Sequence, residues 1–441
     1  MWKRWVEVRR EERRAVLVAF VTLFAIVCGH SVLETARDAL FLAKIPASRL
    51  PIAYFAIAVL IVLVGQLTSF LRRWVARAAL LPGALAACAV CTGLFWSAID
   101  GANNALLYTL YVWSGLVGTF VVGLFWIRVG DMFDVGQAKR LFPLIGIGGV
   151  AGATAGSLLA RSLLASFESR HLILAAVCTY LFAAAWVAWS WTLSAPDRIE
   201  SAYDQRSVSM TRFEILRREP YLRRLSILIA LSMVTVTVVD YLFKSAVAAE
   251  VPAEQLGEFF ATYYSIVNGL SAVVQVVVAP ILLSYLGVNR ALILFPVMLL
   301  AAGFGLLVTG SMTAGLILKG VDGTLRHSLY RTGMEILYLP LSADIRGRFK
   351  ALLDGFAQRG GQAVASLAIL SVSMSGFGQE QLATGVLILA VLWIALGFQM
   401  RSGYLDLFRE RLLLGHIDAR VDVPDLDLSA LEQLLEALNS S

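Results

Sequence analysis

Charge is what this sequence has least of. Only 15% of its 441 residues are Asp, Glu, Lys or Arg, where soluble domains carry about 25%. With 59% hydrophobic residues and a mean hydropathy of +0.75, the chain reads as a polytopic membrane protein. Cysteine is scarce as well. The four, Cys28, Cys88, Cys91 and Cys178, fall in apolar spans, and the Cys88/Cys91 pair has no second pair to complete a metal site. No metal and no cofactor are expected. No Gly-Lys-Ser/Thr follows the glycine-rich stretch "GIGGVAGATAG" and no strand precedes it, so it is not a phosphate loop. Its small residues, like those of "RGGQ", instead permit close approach between membrane helices. Neither a Ser/His/Asp arrangement nor converging nucleophile and base stands out, which argues against an enzyme. The formal net charge of +6 is scattered over short connections rather than gathered on one module, so no nucleic-acid partner is expected.

Long apolar runs dominate what is present. They begin near Val16, Pro51, Ala78, Ala105, Pro143 and Leu172, then near Leu225, Phe259, Ala291, Thr313, Gly355 and Leu382. Each is continuous over roughly 20 residues, the length of a spanning helix rather than of a barrel strand. The fold class is therefore all-α, with about 12 transmembrane helices. The basic start "MWKRWVEVRREERRAV" precedes an apolar run too long for a signal peptide, with no convincing cleavage site before its charges, so the first span is expected to be retained.

The domain organisation follows from these runs: a basic N-terminal segment 1–15, a six-helix bundle 16–194, a polar linker 195–224, a second six-helix bundle 225–400 and a tail 401–441. Nearly all Lys and Arg outside the spans fall on the side of the N-terminus, as the positive-inside rule requires if both termini are cytoplasmic. The halves resemble each other. "AKIPASRLPIAYF" from Ala43 aligns with "AEVPAEQLGEFF" from Ala249, and "AKRLFPLIGIGG" from Ala138 aligns with "FKALLDGFAQRGG" from Phe349 at a nearly equal offset. Two parallel six-helix repeats, with substrate held between them near the midplane, describe the major facilitator architecture.

Several charges stay inside these spans, where each could cost roughly 2.5–3.5 kcal/mol. On the first helix His30, Glu34, Arg37 and Asp38 recur at spacings of three and four and share one face. On the seventh, Asp240 and Lys244 lie four apart. The tenth carries Lys319, Asp322 and Arg326, then Arg331 and Glu335. Asn268 on the eighth helix and Gln362 on the eleventh add hydrogen-bonding groups, together with Arg359 and Asp354. Guanidinium and ammonium groups match phosphate or carboxylate oxygens, which makes Arg37, Lys244, Lys319, Arg326, Asn268 and Gln362 the candidate substrate-binding residues. Glu34, Asp38, Asp240 and Asp322 would orient those cations or carry a coupling proton. The same charges could instead neutralise one another in networks that fix helix packing. His30 alone reads more simply as a packing residue. Asp131, Lys139 and Arg140, around the fourth connection with Arg128 and Asp134, are expected to serve as a gate or as inside-positive anchors, like Arg346, Arg348 and Lys350 at the tenth; Arg331 and Glu335 are expected to take part in coupling or gating.

The stretch "YVWSGLVGTFVVGLFWIRVGDMFDVGQAKRLFPLIGIGGVAGATAGS" resembles the signature region of the ATP/ADP translocase family, nucleotide transporters of plastids, intracellular bacteria and free-living bacterial relatives. The likeness rests on Trp113, Phe125-Trp126, Asp131, Phe133 and "AKRLF", and it recurs in "ETARDALFL", "EILYLPL" and "KALLD". It implies that Arg37, followed by Asp38, occupies the position of a basic residue implicated in nucleotide transport. The chain departs from other members where they place a Glu shortly before the tryptophan and it has Tyr111 and Val112 before Trp113; their "AND" is here "VGD", Val129 to Asp131. The substrate expected from this is a nucleotide or another phosphorylated anion.

The expected function is that of a secondary transporter of the bacterial inner membrane, working by exchange or proton coupling as a monomeric unit among membrane lipids. The alternatives are a carrier of lipids or amphiphiles, served by aromatics such as Tyr241, Tyr263 and Tyr264, and a membrane sensor or scaffold. The latter would act through a cytoplasmic partner of the C-terminal helix, "DLDLSALEQLLEALNSS", which opens with a capping box from Ser429 to Glu432.

Overall fold

The computed structural model describes residues 8–71, 77–101, 103–133, 135–192, 220–337, 353, 357–376 and 378–413. Most of the linker, the tail beyond 413, its capping box and "KALLD" lie outside the described residues, apart from Leu353. Among the described residues the regular structure is entirely helical. The helices are α1 (Arg13–Lys44), α2 (Leu50–Leu71), α3 (Arg77–Ala98), α4 (Asn104–Met132), α5 (Val135–Leu164) and α6 (His171–Thr192). They are followed by α7 (Pro220–Glu250), α8 (Leu256–Val273), α9 (Ala279–Thr309), α10 (Met312–Leu325), α11 (Arg331–Leu337), α12 (Gln358–Met374) and α13 (Gln379–Leu413).

Among the described residues, ten helical segments are long and apolar enough to cross a membrane. The remaining two of the twelve expected spans are built differently. The tenth carries the charged residues that lower its hydropathy and has a π turn, Arg326–Tyr330, between α10 and α11, as the eighth has at Val274–Val278 between α8 and α9. The eleventh, α12, has only 17 described helical residues. Wide turns of this kind are rare and concentrate at functional sites.

The described chain forms two compact units, the first from Met1–Ser207 with Ala248–Gly269 and the second from Val208–Val247 with Leu270–Ser441. One long helix is central to each. In α1 and α7, 61% of the apolar window is buried, against 28–39% in the other eight spans. Partition between lipid and protein sets this contrast, because outer helices keep apolar side chains such as Leu94, Trp189 and Phe398 exposed while the central ones are enclosed by neighbours.

In the first unit α1 is packed by α4, α5 and α6. The α1–α5 contact is backbone-close: a Cβ on Gly148, Gly152 or Gly156 would collide with the carbonyl oxygens of Phe20, Phe24 and Cys28 respectively. Glycine is thus required every four residues along that seam. Gly361 of α12 meets the carbonyl of Ala230 in α7 in the same way. The aligned proline segments also match. Pro46 (φ −57°, ψ 141°) and Pro252 (φ −56°, ψ 143°) each lead into a short 3-10 turn, Ala47–Arg49 and Ala253–Gln255, that starts the next helix. Of the cysteines, Cys28 and Cys88 are buried as expected of core residues, whereas Cys178 is exposed on α6.

Candidate functional site

In the first unit the site grows from three residues of α1. The spacing 34, 37, 38 places them on one face, and packing then encloses it. Arg37 Nη2 donates to Glu34 Oε1 at 2.8 Å, Nε to Asp38 Oδ1 at 3.3 Å and Nη1 to Ser114 Oγ at 3.4 Å. Its guanidinium carbon lies 4.6 Å from the centroid of the Tyr111 ring, within cation–π range. Asp38 is fully buried, and its second oxygen accepts from the Tyr264 hydroxyl at 2.7 Å. Glu34 is the accessible member of the group, with 39% of its side chain exposed against 10% for Arg37.

Helix α4 answers α1 residue for residue. Tyr111, Ser114 and Gly118 recur at spacings of three and four, one helical face. Tyr111 and Ser114 meet Arg37, while Gly118 meets the ring of His30. The two helices run antiparallel through this contact. Tyr111 is itself held by Phe41 and Tyr54, at 4.9 and 6.1 Å between ring centroids. Sequence reasoning did not assign Tyr111, Ser114 or Gly118 to a site. The only signal was their helical spacing, and it could not say which helix they would face.

The second unit holds five alternating charges. Asp240 pairs with Lys244 at 3.0 Å and with Lys319 at 2.8 Å, Lys319 reaches Asp322 at 3.0 Å, and Arg326 Nε lies 3.3 Å from Asp322. Asp322 and Lys244 are almost completely enclosed, whereas the Arg326 side chain is 30% exposed. Among the ion pairs of the described residues, three cations share two carboxylates. In the first unit, Arg37 is shared by two carboxylates, Glu34 and Asp38. These pairings offset the desolvation of each ion.

Other expected residues are placed elsewhere. Asn268 donates to the Ala153 carbonyl at 3.2 Å and to Ser157 Oγ at 3.3 Å, tying α8 to α5. Gln362 accepts from Arg359 at 2.9 Å. Arg140 donates to Glu12 Oε1 at 2.6 Å, and Gln137 donates to the same oxygen at 3.2 Å. Burial raises the Glu12 carboxyl, but the Arg9 amide and the Arg140 guanidinium outweigh it and hold that group below its ordinary range. Glu12 precedes Arg37 by 25 residues, about 37 Å along a helix axis, so Arg140 belongs to an end of the bundle. Arg331 is exposed. The side chains of Asp131, Lys139 and Glu335, and all of Asp134, Arg346, Arg348, Lys350 and Asp354, lie outside the described set.

Solved transporters share this architecture. A bacterial homologue of the iron transporter ferroportin superposes with a TM-score of 0.62 at 12% identity, covering 89% of this chain and 98% of that one. The nucleoside transporter NupG gives 0.58 at 14% identity, over 88% and 99%. The fold is thus major facilitator-like. In sequence, the chain is 23% identical over 374 residues to the chloroplastic ADP,ATP carrier protein 1 of Arabidopsis thaliana, with 75% of this chain and 60% of the relative covered. It is 22% identical to ADP,ATP carrier protein 1 of Chlamydia trachomatis, covering 82% of each. The chain therefore spans less than two thirds of the plant carrier's length. The family model described as TLC ATP/ADP transporter matches residues 90–324, which takes in α4 with Tyr111 and Ser114, the Asp240–Lys244 pair and the Lys319–Asp322 pair. A multi-pass membrane fold, intramembrane charges on its central helices and this match over more than half of its length have one common source: the chain belongs to the TLC ATP/ADP transporter family.

Proposed function

We propose that the protein carries a nucleotide or a related phosphorylated anion across a membrane by alternating access, through exchange or proton coupling. The observation that carries this reading is the cluster of intramembrane cations in the second unit, where, among the described residues, Lys244, Lys319 and Arg326 are held on two shared carboxylates. Phosphate oxygens compete with carboxylates for such donors, so an arriving anion can take the place of Asp240 on Lys319, or of Asp322 on Lys319 and Arg326. The names of the relatives, ADP,ATP carriers, support adenine nucleotides as the first substrates to try. Arg37, Lys244, Lys319 and Arg326 are the binding residues in this reading. Glu34, Asp38, Asp240 and Asp322 orient them.

Uptake of labelled ATP and ADP into proteoliposomes tests it. The wild-type chain is expected to accumulate label, whereas Lys319→Ala and Arg37→Ala lose at least tenfold in rate, the loss of a single charge-assisted contact being worth about 1.5–3 kcal/mol. Absence of uptake for every nucleotide, with all three proteins alike, would exclude nucleotides as the cargo.

A further inference from the structure

His30 lies on α1 one turn before Glu34, and its imidazole is pressed against Gly118 of α4, where a Cβ would collide with Cε1, Nε2 and Nδ1. Its Nδ1 is buried and has no hydrogen-bond partner among the described residues. A buried polar atom left unpaired forfeits the hydrogen bond it made to water. The charges that act on the ring are Glu34, Arg37 and Asp38 of its own helix. From the helices packed around it, α4 brings Gly118 and the Tyr111 ring under Arg37. Helix α6 brings Thr179 and Tyr180 against neighbouring Gly29. The face of α5 toward α1 is glycine, and α8 brings Tyr264 to Asp38. Among the described residues, then, the acidic partner within reach of His30 on its own helical face is Glu34, four residues on.

We propose that His30 and Glu34 form the loading site of a coupling proton. This rests on the reading that the protein carries an anion. With the imidazole neutral, the Glu34 carboxylate is held by Arg37 Nη2 at 2.8 Å. A proton adds to the unprotonated ring nitrogen, and the imidazolium draws Glu34 to itself at the favourable (i, i+4) spacing. Arg37 Nη2, released from Glu34, then donates to an oxygen of the anion. One proton and one anion are taken up together. When the anion leaves, Arg37 recaptures Glu34 and the imidazolium gives its proton back to water. By linkage, whatever factor protonation adds to anion affinity, the anion adds to proton affinity. The half-exposed position of Glu34 beside the enclosed Arg37 suits it to be the member that moves.

The test uses the full chain labelled with nitrogen-15 in its four histidines; the His30 signal is the one lost in His30→Gln. Its titration is followed by NMR in wild type and in Glu34→Gln. Removing the carboxylate is expected to weaken proton binding at His30 about tenfold, one pH unit. An unchanged midpoint, or no titration between about pH 5 and 9, overturns the proposal. In proteoliposomes holding a pH dye, addition of ATP should acidify the lumen with wild type and not with His30→Gln. Acidification that persists in His30→Gln also overturns it. If ATP enters with neither protein, the nucleotide reading falls, while the NMR titration still decides the fate of the His30–Glu34 pair.

Discussion

Arg37 offers one nitrogen to Glu34, one to Asp38 and one to Ser114, and turns its face to Tyr111. A guanidinium so engaged is pre-organised, and an anion must displace one of its partners to reach it. Glu34, the most exposed, is the partner that can yield. The Tyr111 ring lies 4.6 Å from the Arg37 guanidinium carbon. Replacing it by leucine removes a cation–π contact worth about 0.5–2 kcal/mol and leaves Arg37 freer to rotate. We expect Tyr111→Leu to raise the KM for ATP severalfold with little change in thermal midpoint, whereas Tyr111→Phe should keep wild-type values. Equal KM for all three proteins would show that Tyr111 has no hold on the binding geometry. The sequence placed Glu34, Arg37 and Asp38 on one helical face, because spacing alone decides that. It could not show Tyr111 and Ser114 opposite them, since inter-helix pairing depends on rotation and depth.

At the scale of helices, the seam between α1 and α5 is set by carbonyl oxygens against Gly148, Gly152 and Gly156. No side chain can be added there without parting the backbones, and overpacking typically costs about 1–3 kcal/mol. Gly152→Ala should therefore lower the thermal midpoint in detergent. Gly123→Ala on α4, where a Cβ meets nothing within 4 Å, should not. If both variants melt together, the close approach is not what holds α1. The glycine clusters were legible as packing residues, as were the paired proline corners before α2 and α8. What was not legible was the break in the tenth span. A π turn at Arg326–Tyr330 changes the register of the charges beyond it, and simple counting by three and four carries straight through such a turn.

For the whole molecule, the distribution of Lys and Arg predicts that both ends lie on the cytoplasmic side. Alkaline phosphatase fused after residue 413 should be inactive in bacteria, and fused after Gly101, between α3 and α4, active; the reverse pattern would refute that topology. Composition by itself determined that this is a helical membrane protein, because a chain with so little charge can satisfy its backbone in lipid only within helices or a closed barrel, and the long continuous runs select helices. Helical periodicity determined which charges share a face. Tertiary structure alone decided which charges meet. Asp240 stands between Lys244 of its own helix and Lys319 of another, Asp38 is claimed by Tyr264, and Asn268 ties α8 to α5. The physical reason is that spacing along one helix fixes direction about its own axis, while contacts between helices depend on how closely, and at what depth, small and large residues let their backbones approach.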